Sequence, residues 1–339
     1  MTQPTTYAAG NQTEHLSVMR EELVDAVLGD VAGRYIDATF GRGGHARALL
    51  EQLGPNARLL VMDRDLQAIE EARRLCSQDS RVCYAHARFA EIRKAASENS
   101  FENVDGVMFD VGVSSPQIDQ AERGFSFRFD GPLDMRMDTS TGITAQEWLN
   151  SATRADMARV FRDYGEERNA YGIAGAIERA RPVTKTLELA EIVESAQGRP
   201  DRHKHAATRV FQAIRIFIND ELTELRSAID ESWELLRPKN VGRDDVAQGA
   251  GQDDAGTDGE GSGGKLAVIS FHSLEDRIVK RAFKALVKPS PLPRRLPVRA
   301  NQEAPPKAKV MRLQKARDTE VVANPRARSA VLRVAERLL

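Results

Sequence analysis

From Arg34 to Val113 the chain alternates between short apolar runs and amphipathic stretches, and this rhythm restricts the fold more than any other feature. "RYIDATF" reads as a strand, "GRGGH" as a glycine turn and "ARALLEQL" as a helix. "ARLLVMD" is a second strand, followed by the helix "LQAIEEARRLC" with apolar residues at 66, 69, 72 and 75. "RVCYAHARF" and "VDGVMFDV" supply two more strands. Strands that alternate with helices build a doubly wound α/β fold with a mainly parallel sheet.

The rhythm stops after the fourth strand. Residues 119–205 read as short helices and loops, a helical module inserted into the sheet domain. A long helix is predicted next, from apolar residues at 211, 214, 218, 222, 225, 229, 233 and 236. That spacing makes one buried stripe. Residues 240–264 hold eight glycines and six acids and no aromatic, a flexible linker that cannot bury a core. The sheet pattern resumes with "KLAVISF", a helix from about Leu274 to Val287 and a last strand, "SAVLRVAERL". The expected organisation is therefore an N-terminal core part at 1–118, the helical substrate-recognition module at 119–205, and a C-terminal core part at 206–339 that contains the linker.

Bulk properties exclude several classes. No run approaches the ~18 apolar residues of a membrane helix, and "MTQPTTYAAGNQTEH" has no apolar core to serve as a secretory signal. The expected location is the cytoplasm. Two cysteines, Cys76 and Cys83, and six scattered histidines give no metal-ligand spacing, so no metal is expected. Charge is uneven: residues 280–339 carry 16 Lys and Arg against 4 Asp and Glu in a chain of net charge −1. Such a segment suits phosphates, or is a solvated basic tail.

The glycine turn "DATFGRGGHA" places Gly41, Gly43 and Gly44 between a strand and a helix, where backbone can approach a ligand closely. Asp63 ends the next strand, where an acid accepts ribose hydroxyls. NAD, FAD and S-adenosyl-L-methionine share this arrangement, and a plain tight turn with a surface Asp is the bland alternative. Asp37, before the glycines, favours S-adenosyl-L-methionine: it suits an amino group and would repel a pyrophosphate. Asp110 ends the fourth strand in "GVMFDVGVSSPQ". Ligands of such sheets sit beyond the carboxyl ends of the strands, so Asp110 faces cofactor and substrate together, or else caps its own turn through Ser114 or Ser115.

Six blocks, "DATFGRGGHA", "FDVGVSSPQIDQAERGFSFRFDGPLDMRMD", "GEERNAYGIA", "ATRVFQAIRIFINDEL", "GGKLAVISFHSLEDRIVKR" and "NPRARSAVLR", resemble in order the signatures of the bacterial 16S rRNA cytosine-N4 methyltransferases, the MraW or RsmH family. The resemblance runs from about His15 to Leu332. Ser17, Ala46 and Arg88 depart from the residues usual there. It implies a class I, Rossmann-like methyltransferase fold with an inserted helical domain. It also implies methyl transfer from S-adenosyl-L-methionine to N4 of one cytidine, cytidine 1402, in the decoding centre of the small ribosomal subunit. Cofactor contacts are implied at Gly43, Gly44, His45, Asp63, Phe89, Asp110 and Gln117.

A cytosine amine attacking an activated methyl needs in-line positioning and a proton acceptor. Asp110, or a carbonyl of Val111 or Gly112, supplies the acceptor. Ring-carbon methylation would need a cysteine nucleophile, and neither Cys76 nor Cys83 is near "DVGVSS" in the chain. In "SFHSLEDR", His272 is a second catalytic candidate that hydrogen-bonds a flipped base, with Phe271 stacking on it. The alternative is that Ser273 caps the next helix with Asp276. "RGFSFRFDG" interleaves Phe125, Phe127 and Phe129 with Arg123 and Arg128, which suits unpaired RNA, or an alternating strand with one buried face. Competing functions are methylation of DNA or another RNA, NAD-linked oxidoreduction, and non-catalytic RNA binding. Oligomeric state is not legible, and a homodimer stays open.

Overall fold

The computed structural model describes residues 17–197, 206–239, 262–287 and 305–339. The glycine-rich stretch at 240–264 thus lies outside the described residues except for 262–264. One mixed sheet forms the core. Its strands are β1 (Arg34–Asp37), β2 (Arg58–Asp63), β3 (Val82–His86), β4 (Gly106–Asp110), β5 (Lys265–Ser270), β6 (Ala308–Val310), β7 (Gln314–Lys315) and β8 (Val331–Arg337). The order is β3-β2-β1-β4-β5-β8-β6, with β7 also on β8. β1 to β5 are mutually parallel, and β8 runs antiparallel to β5. The fold is the expected Rossmann-like α/β architecture.

Both faces of the sheet are buried, which explains why its strands read as unbroken apolar runs. Tyr35, Leu59, Met108 and Ala267 enter one core, while Ile36, Leu60, Val107, Phe109 and Val268 enter the other. Successive side chains take opposite faces, as strand geometry requires.

The helical module has its own core. Helices Ala145–Ser151, Arg154–Gly165, Ala170–Ala180, Thr186–Gln197 and Ala206–Asn219 gather around Trp148, Phe161, Ile173, Leu189 and Phe211. Thr144 and Thr153 cap the first two by accepting from the N–H groups of Glu147 and Asp156.

The predicted long helix is two. Ala206–Asn219 packs into the module, and Glu221–Leu235 packs on the sheet through Leu225, Ile229 and Trp233. Between them Asp220 is left-handed, at φ 50°. The Asn219 side chain donates to Met135 O and accepts from Met137 N, and its backbone carbonyl accepts from Arg64 Nη1 at 2.8 Å. These bonds end one helix and turn the next, so one apolar stripe serves two cores. The module's core therefore takes in residues beyond 205, up to this turn.

Candidate functional site

A cavity of about 750 Å³ opens beyond the carboxyl ends of β1, β2, β4 and β5. That is where ligands of open α/β sheets bind, at the point where the strand order reverses. Each wall comes from a different loop.

The loop after β1 supplies Thr39 to Gly41, Gly44 and His45. Gly43 is left-handed (φ 77°) and starts the helix Gly44–Gln52; a Cβ there would press on the Phe40 ring at 2.7 Å. Gly44 has no room for a Cβ because the Ser17 hydroxyl lies against it. The N-terminal segment, rather than an approaching ligand, fixes that glycine. Gly43 and Asp37 do not line the cavity. Asp37 is 2% exposed; one carboxylate oxygen accepts from Thr39 N and the other has no hydrogen-bond partner. Burial pushes it up to about 7, tempered by His45.

Asp63 ends β2 with its two oxygens accepting from Gly41 N and Asp65 N, both at 2.8 Å. Burial, offset by those donors, pushes it up to about 6. Each oxygen keeps a further lone pair for a ligand hydroxyl. Phe89 lines the same wall, edge-on to Phe109 with ring centres 6.2 Å apart. Gln117 is buried: its amide oxygen accepts from Ser114 N and its amine donates to Asp65 at 2.8 Å.

Asp110 ends β4. Its backbone N–H donates to Thr39 Oγ1 at 2.6 Å. Oδ1 is buried with no hydrogen-bond partner, and Oδ2 lies 3.7 Å from His45 Nδ1. The alternative, that Asp110 caps its own turn, does not hold: Ser114 and Gln117 close that turn. Burial, aided by the charge of Glu275, pushes Asp110 up to about 7. His45 Nε2 faces the Val18 carbonyl at 3.0 Å. A carbonyl only accepts, so Nε2 carries the proton and Nδ1 presents a lone pair to Asp110 when the ring is neutral. Burial holds His45 below its ordinary value.

Phe271, His272 and Glu275 close the side after β5. Glu275 is fully buried; its Oε2 accepts from Phe271 N at 2.8 Å and His272 N at 3.2 Å. The helix Ser273–Val287 is thus capped one residue earlier than the Ser273–Asp276 reading. Ser273 bonds Glu166, and Asp276 pairs with Arg333. "RGFSFRFDG" forms no strand. Arg123 is buried in an ion pair with Asp65 at 2.8 Å, Phe127 packs on Phe211, and Phe129 is exposed. Neither cysteine lines the cavity.

Sequence reasoning missed Asp65, Arg64, Arg215, Glu275 and Arg326, and read Arg123 as an RNA contact without its partner Asp65. Only Glu275 had a local signal, an acid three residues past His272. The other four matter through partners 50 or more residues away or through the insertion's path. The four arginines of the lining each have an acid: Arg42 with Glu71, Arg64 with Glu224, Arg215 with Glu221 and Arg326 with Asp119. Among the described residues no cluster of His, Cys, Asp and Glu is arranged to hold a metal, and no helix is long and apolar enough to cross a membrane.

A sequence model of the MraW methylase family matches residues 12–243 and 260–338. Ribosomal RNA small subunit methyltransferase H of Ralstonia pickettii is 46% identical over 334 residues, covering 95% of this chain and 97% of that protein. The protein of the same name from Aromatoleum aromaticum is 48% identical, covering 96% and 97%. Among solved structures, a putative rRNA methylase from Clostridium thermocellum aligns over 94% of this chain and 95% of its own, at TM-score 0.40 and 11% identity. At that distance the likeness carries no argument.

Proposed function

The chain belongs to the MraW methylase family, and from that premise we propose that it methylates N4 of one cytidine, cytidine 1402, in the decoding centre of 16S rRNA. The methyl donor is S-adenosyl-L-methionine, the substrate is the small ribosomal subunit or its RNA, and the place is the cytoplasm. The observation that carries the reading is the charge pattern of the cavity. Asp63 and Asp110 face it, while each arginine of its lining already has an acidic partner. That pattern suits a cationic, ribose-bearing cofactor and offers little to a pyrophosphate, which favours a sulfonium over NAD.

S-adenosyl-L-methionine, when bound, supplies a methyl group already activated by the sulfonium. Asp63 holds the ribose hydroxyls, with its carboxylate fixed by two backbone N–H groups. Phe89 and Gln117 form the adjoining wall. Gly44 lines the cavity, while Gly43 and Asp37 act from behind by shaping the turn that carries His45. Asp110 accepts the proton lost from the amine, and the lone pair of His45 Nδ1 faces its Oδ2. Phe271 and His272 receive the base, and the helical module and basic C-terminal segment bind the surrounding RNA.

The test is methylation of unmodified small-subunit RNA by the purified protein with labelled S-adenosyl-L-methionine, followed by mass spectrometry of the nucleosides. N4-methylcytidine at one site is expected. Label on another base, or none, refutes the proposal.

A further inference from the structure

We propose that Glu275 is a second acceptor for the target amine: it takes the N4–H that is not lost, while Asp110 takes the proton that is. This rests on the cytosine-amine reading above and adds a selectivity device to it.

Three observations carry it. First, Glu275 is fully buried yet lines the cavity. Its two oxygens are used unequally. Oε2 is fixed by the N–H groups of Phe271 and His272, whereas Oε1 is buried without a hydrogen-bond partner. Buried carboxylate oxygens seldom go unpaired, because the desolvation cost is then uncompensated. Arg215 Nη2 at 3.8 Å is beyond hydrogen-bond reach, and Nε2 of His272, though 2.7 Å away, is not aligned to donate. Second, Asp110 Oδ1 is also buried and without a partner, and Asp110 lines the same cavity. Third, β4 and β5 are neighbours in register, Asp110 beside Ile269, so the loops bearing the two carboxylates leave adjacent strand ends. Asp110 also feels the charge of Glu275.

Two carboxylates on the wall of one cavity, each with a buried oxygen that lacks a partner, call for a group with two N–H bonds. A cytosine amine has two. A uracil presents a carbonyl oxygen at the same ring position, which two carboxylates would repel. With one hydrogen on each carboxylate, the amine is turned so that its lone pair faces along the cavity. In the reaction N4 gains the methyl carbon and loses one proton to Asp110, and the former carbon–sulfur pair stays on sulfur. Glu275 only accepts a hydrogen bond. His272, with both ring nitrogens unpartnered and buried beside it, turns to complete the set.

The experiment measures binding of two small-subunit RNAs in the presence of S-adenosylhomocysteine. One carries cytidine at the target and the other a pyrimidinone nucleoside lacking the 4-amino group. The parent protein is expected to prefer the cytidine RNA. Glu275→Gln still offers an oxygen to the N–H groups of 271 and 272 but turns a donor toward the amine. Glu275→Asp keeps the charge and withdraws it by one methylene. In both the preference should shrink about tenfold or more, the loss expected for a hydrogen bond to a charged group, with cofactor affinity retained. A loosened loop would weaken both RNAs alike and leave the ratio unmoved. An unchanged ratio in either folded variant, or equal binding of both RNAs by the parent, overturns the proposal. A parent that fails to methylate the cytidine RNA at all would instead refute the functional reading.

Discussion

Replacing Asp110 with Asn should slow methylation and, above neutral pH, stabilise the fold. Burial, with the charge of Glu275, pushes this carboxyl from 3.8 to about 7 in the folded protein. Below about pH 4 it is neutral in both folded and unfolded chains, so Asp and Asn are equivalent. Between 3.8 and 7 the unfolded chain releases a proton that the folded one keeps, and the parent loses stability as pH rises. Above 7 the whole cost is present. Three units at about 1.36 kcal/mol each correspond to roughly 4 kcal/mol. The side chain is 25% exposed to the cavity, and water there reduces the effect to about 2 kcal/mol. Urea unfolding without cofactor should therefore find the Asn variant more stable by about 2 kcal/mol at pH 8, and by less than about 1 kcal/mol at pH 4.5. Single-turnover methylation at saturating cofactor should drop about 10²–10⁴-fold, the usual cost of losing a positioned proton acceptor. A stability difference that is the same at both pH values would refute the burial argument. Methylation at the parent rate would show that Asp110 accepts no proton.

Three further outcomes are expected. Asp63→Ala should weaken S-adenosyl-L-methionine by at least about tenfold in calorimetry while the protein stays folded, because charge-assisted hydrogen bonds are worth about 1.5–3 kcal/mol each. Arg123→Met should cost about 3–5 kcal/mol in denaturant unfolding, since it leaves the buried Asp65 without its cation. Shortening 240–261 to a few Gly and Ser residues should leave melting temperature and methylation almost unchanged, as loop closure depends weakly on length; a large loss of either would show that the segment docks.

The sheet was legible because its physics is local. Tyr35, Ile36, Leu59 and Leu60 alternate between two buried faces within single strands, and the glycines at 41 and 43 take positive φ as the turn demands. The insertion was legible as a break in rhythm, but not its end. Ile214 and Leu225 lie on one apolar stripe, and only the bonds that pin Asn219 to Met135, Met137 and Arg64 send them into different cores. The site was legible where an acid closes a strand, as at Asp63 and Asp110. Asp37 has the same local signature, yet it lies behind the wall. The strand reading of "RGFSFRFDG" fails for a related reason: Arg123 is held by Asp65, 58 residues earlier.

The place of the insertion joins these findings. The chain leaves the sheet just after Asp110 and returns along β5, which ends before His272 and Glu275. The loop after Asp110 leads directly into the helical module, and the loop after β5 meets the module in space. Arg215, on the module's last helix, pairs with Glu221 across the Asp220 turn and lies 3.8 Å from Glu275. Glu166, at the end of another module helix, accepts from Ser273 and pairs with Arg277 on the helix after β5. Moving the module would carry Arg215 and Glu166 with it and so shift the loop that holds Glu275, and it would reach the cofactor wall through different bonds, Arg123 to Asp65 and Asn219 to Arg64. The contact at Glu166 touches the base-receiving side, through Ser273 and Arg277, and not the cofactor wall. The exposed pair of Glu166 and Arg277 contributes little stability by itself, so Glu166→Ala should raise KM for RNA and leave cofactor affinity at the parent value. If cofactor affinity fell as much as RNA affinity, the two sides of the cavity would be one mechanical unit and this division of labour would be wrong.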